Sequence, residues 1–192
     1  MIIQRKNRFD NVSLETCVVD NYNKELVEYL RDYIKNIEEK INNGENLIIT
    51  GDCGVGKTYL MKCFINDCKK IVVEKEIWDY PKNKIEKRLL NIGYFNIFKV
   101  IEELRKKYEK KESDYNFNIY DILIIDEIGV QFATDAERQI LYEIINYRWE
   151  NFKPTFLISN LDLEGIKKVL GLRIFDRINT NKHFILNGSS RR

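Results

Sequence analysis

Residues 51–58 read Gly-Asp-Cys-Gly-Val-Gly-Lys-Thr, the G-x-x-x-x-G-K-[ST] spacing that suits a phosphate chain. Gly51, Gly54 and Gly56 let the backbone take angles that side chains forbid, so its N–H groups can curl around an anion. Asp52, Cys53 and Val55 fill the variable positions of this binding loop. Lys57 is placed to reach the outer phosphates and the Thr58 hydroxyl to hold Mg²⁺. Tyr59 follows in the first turn of a helix whose positive end favours the anion. ATP with Mg²⁺ is the expected ligand.

Two further groups have matching chemistry. Asp126 and Glu127 follow the apolar run Ile122–Ile125. A carboxylate at the carboxyl end of a buried parallel strand lies at the sheet edge where ligands bind. Asp126 is therefore expected to hold Mg²⁺, directly or through water, opposite Thr58, and Glu127 to polarise the attacking water. Asn160 ends the next apolar run, and its amide either orients that water, contacts the γ-phosphate, or simply makes a turn. Arg173 and Arg177 stand four apart on one helical face. They are either a pair of surface arginines beside Asp176 or the source of an arginine finger for a neighbouring subunit's γ-phosphate.

The intervening segments supply the elements these groups need. Asn46–Thr50 is an apolar run before the loop, and Tyr59–Asp67 reads as a helix with Leu60, Met61, Phe64 and Ile65 on one face. Residues 25–41 read as one amphipathic helix with Leu26, Tyr29, Leu30, Tyr33, Ile34, Ile37 and Ile41 inward, stopped by Asn43-Gly44. Residues 1–20 look irregular. Residues 69–92 read as an insertion with helical character, followed by a strand over Gly93–Ile97. A helix over Phe98–Lys111 turns Val100, Ile101, Leu104 and Tyr108 to one side. Its other side carries Arg105, Lys106, Lys107, Lys110 and Lys111, diluted by Glu102, Glu103, Glu109 and Glu112. That side suits either a solvated mixed-charge face or a surface that tracks a nucleic-acid strand. Ile122–Ile125, Thr155–Ser159 and Phe184–Leu186 are strands, and residues 135–150 and Glu164–Leu170 are helices. Strands alternating with helices imply an α/β fold with a parallel sheet covered on both faces.

Bulk composition narrows the function classes. The 192 residues, 44% of them hydrophobic and 32% charged, suffice for one domain with a core. Net charge is only +2, but residues 165–192 carry seven Lys/Arg against Asp176 alone, which suits an anionic partner. Four cysteines without paired spacing, and His183 as the only histidine, argue against zinc and against histidine-based catalysis. No signal peptide is evident and no apolar run approaches membrane-spanning length, so a cytoplasmic protein without membrane contact is expected.

These motifs together resemble the DnaC/DnaI-type replicative helicase loaders. Asp121–Gln131 is similar to their Walker B region, Lys153–Leu161 to their sensor I strand, and Gly171–Arg177 to their arginine-finger segment. Gly188–Arg192 is similar to their sensor II segment, although Arg191 replaces an aromatic there. Arg8-Phe9-Asp10-Asn11 resembles the stretch that opens their ATPase domain. The resemblance implies a P-loop NTPase of AAA+ type, a three-layer αβα sandwich with little or no C-terminal lid. It implies ATP bound between subunits of an arc or helical oligomer, with Arg177 the finger, Arg173 its companion, and Arg192 acting on its own subunit's nucleotide. It also implies contact with single-stranded DNA through Phe98–Lys111, and a replicative helicase as partner.

A single ATPase domain over 1–192 is expected, with 1–24 as an extension, 25–192 as the core, and no separate helicase-binding domain before it. The function expected is that of a slow ATPase that helps load a helicase. One rival is a transposition helper of the IstB type acting on duplex DNA. Another is a nucleotide-gated adaptor with little catalysis.

Overall fold

The computed structural model describes residues 8–79, 82–108, 116–129, 135–180 and 182–188. The described residues fall into two compact units. One runs to Glu38 and resumes over Thr58–Leu90; the other comprises Glu39–Lys57 and the residues from Asn91 onward.

The second unit is built on a five-stranded parallel sheet. β1 (Leu47–Gly51), β4 (Ile92–Asn96), β5 (Ile122–Ile128), β6 (Thr155–Ser159) and β7 (Lys182–Leu186) lie in the order β4-β5-β6-β1-β7. Leu47, Ile48 and Ile49, Ile122 to Ile125, and Phe156 to Ile158 are all buried. Both faces of these strands are covered, which is why they read as continuous apolar runs rather than alternating ones. β1 is an interior strand next to the edge strand β7, pairing with β6 on its other side. All five strands run parallel, so their carboxyl ends share one edge of the sheet, and the 51–58 loop leaves from that edge.

Helices α4 (Ile97–Tyr108), α5 (Asp135–Glu150), α6 (Leu163–Leu170) and α7 (Leu172–Ile178) connect the strands. Ile97, Val100 and Ile101 of α4 and Leu141, Ile144 and Ile145 of α5 pack with Ile166, Leu170, Ile174, Phe175 and Ile178 against Ile48, Leu123, Ile125 and Leu157. Burying each such side chain contributes roughly 1.5–3 kcal/mol before entropy is counted.

Asn46, just before β1, ties three elements together. Its Nδ2 donates to the Arg177 carbonyl (3.0 Å) and to Thr180 Oγ1 (3.2 Å). Its Oδ1 accepts from the Thr155 N–H at 2.8 Å.

Arg148 of α5 is fully buried. It donates to the carbonyls of Phe117, Tyr120, Asp121 and Pro154 and to the Thr155 hydroxyl. The guanidinium thus pins the turn before β5 to the start of β6.

The 25–41 helix divides into α1 (Lys24–Lys35) and α2 (Ile37–Asn42), interrupted at Asn36. The Asn36 side chain bonds back to the Asp32 carbonyl and carboxylate, a local alternative to helix continuation. Leu26, Leu30, Tyr33 and Ile37 are buried as expected, and Val27 joins them. Tyr29 and Ile34 are only partly buried. Gly44 lies beyond the end of α2 with φ 62°, as the stop signal requires. Residues 8–20 are irregular but tethered. Asn66 Nδ2 holds the carbonyls of Phe9 and Val12, and Asp67 accepts from the Leu14 N–H. Both partners lie on α3 (Lys57–Cys68).

Residues 69–92 correct the expectation of a helical insertion. They form an antiparallel hairpin of β2 (Val72–Asp79) and β3 (Lys82–Leu89), paired from Val72↔Leu89 to Asp79↔Lys82. β-Branched Ile71-Val72-Val73 and the cross-strand ion pair Glu74–Lys87 at 2.8 Å favour the ladder. Charged side chains such as Glu74, Glu86, Lys87 and Arg88 stand along this hairpin, and an exposed two-stranded sheet accommodates them as readily as a helix. No helix among the described residues is long and apolar enough to cross a membrane.

Candidate functional site

The site is built on the shared carboxyl edge of the sheet. Gly51 ends β1 with φ 137°, and a Cβ there would lie 2.0 Å from the Leu186 carbonyl oxygen of β7. Only glycine lets the two strands approach this closely while the chain turns into the loop. Gly54 (φ 88°) and Gly56 (φ 103°) also take conformations that glycine favours. Between them they curl the backbone around the point where Lys57 begins α3. Val55 is buried, and Asp52 and Cys53 are exposed.

The Lys57 ammonium is nearly buried. It donates to the carbonyls of Gly51 (2.6 Å) and Asp52 (2.7 Å) and to Asn160 Oδ1 (2.7 Å). Its three donors thus meet three neutral oxygens. Burial pushes its pKa below the ordinary 10.5, while Asp126, Cys53 and Asp52 pull the other way. Asn160 directly follows β6, so the amide and the loop lysine, 103 positions apart, meet in one contact.

Asp126 and Glu127 lie inside β5, which continues to Ile128 rather than stopping at Ile125. The pairing with β6 runs Ile125↔Leu157 and then Ile128↔Ser159. β5 therefore spends three residues where β6 spends two, a bulge centred on the two carboxylates. Bulges re-aim side chains beside functional sites. Here Asp126 is buried and Glu127 exposed.

Glu127 has φ 63°, a left-handed conformation costing a non-glycine residue about 1–3 kcal/mol. The Ser159 hydroxyl donates to the Ile128 carbonyl and accepts from the Leu161 N–H, holding the bulge from the β6 side. Asp126 Oδ1 accepts from the Glu127 N–H at 2.7 Å, and its Oδ2 accepts from the Tyr94 hydroxyl. Asn96 Nδ2 donates to Glu127 Oε2. Tyr94 and Asn96 project from one face of β4, so this strand grips both carboxylates. Neither was singled out from sequence. The rule that found Asn160, a polar residue closing a strand, applies equally to Asn96.

Thr58 and Tyr59 follow Lys57 in the first turn of α3. Arg173 and Arg177 both lie on α7. The Arg173 side chain is exposed. Arg177 lies against α5, its Nε donating to Asn146 Oδ1 at 2.6 Å. Arg192 and the rest of 189–192 lie outside the described residues, as do 109–115 and Gln131.

On α4, Glu103 departs from both readings of the charged side, a solvated face or a surface that tracks a nucleic-acid strand. It is buried, with Lys99 at 2.7 Å and Lys106 at 2.9 Å. These lysines, also paired with Glu102, are raised in pKa, chiefly by the hydrogen bonds they donate to Glu103.

The donor set suits Mg²⁺ and ATP. Among the described residues no cluster of three or more His, Cys, Asp or Glu is arranged to hold a metal. Mg²⁺ takes most of its ligands from phosphate and water and needs only one or two hard protein oxygens, such as Asp126 offers. A glycine cradle closed by a lysine matches a polyphosphate.

No family model matches the chain. A replicative helicase loader, DnaC, from Buchnera aphidicola subsp. Baizongia pistaciae is 26% identical over 181 residues, covering 84% of this chain and 63% of the relative. DnaC of Escherichia coli K12 is 25% identical over 169 residues, covering 85% and 63%. The chain thus spans less than two thirds of these relatives' length. Among solved structures, that of the DnaC helicase loader has a TM-score of 0.72 at 20% identity, covering 94% of this chain and 99% of the other. The replication initiator DnaA bound to AMPPCP and single-stranded DNA has a TM-score of 0.71 at 17% identity, covering 92% and 50%. The fold is that of the AAA+ P-loop NTPase domains.

Proposed function

We propose that this chain, a relative of the DnaC-type replicative helicase loaders, is a cytoplasmic AAA+ ATPase that binds ATP·Mg²⁺ in its 51–59 loop. It hydrolyses the nucleotide at a junction with a second copy of itself, contacts single-stranded DNA, and helps place a replicative helicase. The observation that carries this reading is the meeting of Lys57 with Asn160 on the sheet edge that also bears Asp126 and Glu127. Three strands contribute to one edge the groups that phosphoryl transfer to water requires.

In this reading Lys57 exchanges its carbonyl partners for the outer phosphate oxygens. The backbone N–H groups of 52–56 hold the remainder of the chain of phosphates. Asp126 and Thr58 would hold Mg²⁺, which would neutralise charge on the phosphates. Glu127 accepts a proton from the attacking water, and Asn160 orients that water. Arg177, with Arg173 beside it, is offered to the nucleotide of the next copy in an arc or helical assembly. By the same resemblance Arg192 addresses its own nucleotide. By the same resemblance the exposed side of α4 is offered to single-stranded DNA; an initiator of the same fold is itself bound to single-stranded DNA.

The test is ATP turnover against protein concentration, without DNA and with single-stranded or duplex DNA, for the parent chain and Arg177→Ala. Turnover that rises faster than concentration, is stimulated by single strands and is lost in the variant is expected. Strict proportionality down to dilute monomer would overturn the shared site. Stimulation by duplex alone would identify a transposition helper. Binding of ATP without turnover would identify an adaptor.

A further inference from the structure

Arg177 does not project freely from α7. Its Nε donates to Asn146 Oδ1 (2.6 Å), Nη1 to the Arg173 carbonyl (2.8 Å) and Nη2 to the Tyr142 hydroxyl (3.1 Å). The guanidinium carbon lies 4.9 Å from the Tyr142 ring centroid and 5.4 Å from that of Trp149, within cation–π range of both. Tyr142, Asn146 and Trp149 are spaced four and three apart, so they form one stripe along α5. Asn46 fixes the other end of the arrangement by holding the Arg177 main-chain carbonyl at 3.0 Å.

A guanidinium has five N–H donors in a rigid plane. Three are spent on the contacts above. The remaining two lie one on each Nη, the pair that can grip a phosphate in bidentate fashion. Trp149 is 49% exposed, an unusual place for an indole unless its face is in use.

We infer that Asn146, Tyr142 and Trp149 are positioning residues for Arg177, a shelf on α5 that sets the plane of the guanidinium before a neighbouring copy's γ-phosphate reaches it. The inference rests on the arginine-finger role proposed above. Pre-orientation removes the rotamer entropy that a long arginine otherwise loses on docking. An error of about 1 Å in placement costs up to a hundredfold in rate, so a shelf of this kind is worth having.

The experiment uses the full chain with Asn146→Ala and Trp149→Ala, each alone and combined with Arg177→Ala, and Trp149→Phe as the conservative variant. Turnover at saturating protein is expected to fall roughly tenfold in each shelf variant, with nucleotide affinity of the dilute chain and thermal midpoint unchanged. Trp149→Phe should recover most of the rate. In the Arg177→Ala background, itself slower by about a hundredfold or more, the shelf variants should add nothing.

A spectroscopic reading runs alongside. In a Trp78→Phe background Trp149 is the sole indole. Its emission should shift when ATP drives assembly, and should not shift when Arg177 is alanine. Shelf variants that turn over normally while Arg177→Ala is slow would overturn the inference alone. An equal loss with and without Arg177 would assign the shelf a purely structural role and overturn it too. An Arg177→Ala variant as fast as the parent would remove the finger reading and the inference together.

Discussion

Glu127 and Arg148 both depart from what their residue types ordinarily do. Glu127 keeps a left-handed backbone at φ 63° to stand proud of a bulged strand. Glu127→Gly is expected to raise stability by about 1 kcal/mol in a urea titration, since the strain disappears, while hydrolysis is lost. Glu127→Gln keeps the geometry and removes the base. It should slow turnover by about a hundredfold or more and leave ATP bound, readable as retained labelled nucleotide after gel filtration. Parental turnover in Glu127→Gln would deny this residue the role of base. Arg148 is a different case, a wholly buried charge held by four carbonyls and a hydroxyl. Arg148→Met leaves those acceptors without their donor and should cost roughly 3–5 kcal/mol in chemical denaturation. Arg148→Lys should recover only part, because an ammonium brings three donors where the guanidinium uses more. Full stability of the methionine variant would mean that water replaces the arginine at no cost.

At the scale of elements, the junction of β1 with the phosphate loop is the least tolerant point. Gly51→Ala would place a methyl 2.0 Å from a backbone oxygen of β7, where no side chain can yield. Loss of at least about 2 kcal/mol of stability together with loss of ATP binding is expected from calorimetry, and retention of both would contradict the strand approach described. This junction was legible in the sequence, because the loop spacing and the apolar runs before Asp126 and Asn160 announce buried parallel strands without any partner being known. The hairpin was not legible. Its second strand, Lys-Asn-Lys-Ile-Glu-Lys-Arg-Leu, carries charge at either helical or strand spacing, and only pairing with Val72–Asp79 decides between them. Arg148 was legible only by spacing: it stands four and three residues after Ile144 and Ile145, on the apolar face, but its charge argues for solvent until the carbonyls that receive it are brought close by tertiary folding. Glu103 was half legible: its spacing from Lys99 and Lys106 announces both ion pairs, but nothing local says that the carboxylate between them is buried.

For the molecule as a whole, His183 makes stability depend on acidity. It is the only histidine, half-buried on β7 with Nε2 2.8 Å from the Thr50 hydroxyl of β1. Burial lowers its pKa below the ordinary 6.5. The unfolded chain therefore takes up a proton before the folded one does. Stability from this residue is complete above pH 6.5 and declines as pH falls through the folded value, by at most about 1.4 kcal/mol per unit. Urea midpoints at pH 7.5 and 5.5 should converge in His183→Gln relative to the parent, and an unchanged difference would exclude the histidine as its source.

The place of β1 between two late strands also sets an order of events during synthesis. Its partners are Phe156–Ile158 on one side and Lys182–Leu186 on the other, more than a hundred residues downstream. A ribosome that has just released the phosphate loop has made a strand with no neighbours. The loop gains its full support only when β7 has emerged and Leu186 comes to rest against Gly51. Pairings this distant in sequence form slowly, and the nascent chain meanwhile exposes Leu-Ile-Ile-Thr with both edges open. A folding helper acting on this chain would find its substrate there, and nucleotide binding would begin only once β7 has joined β1.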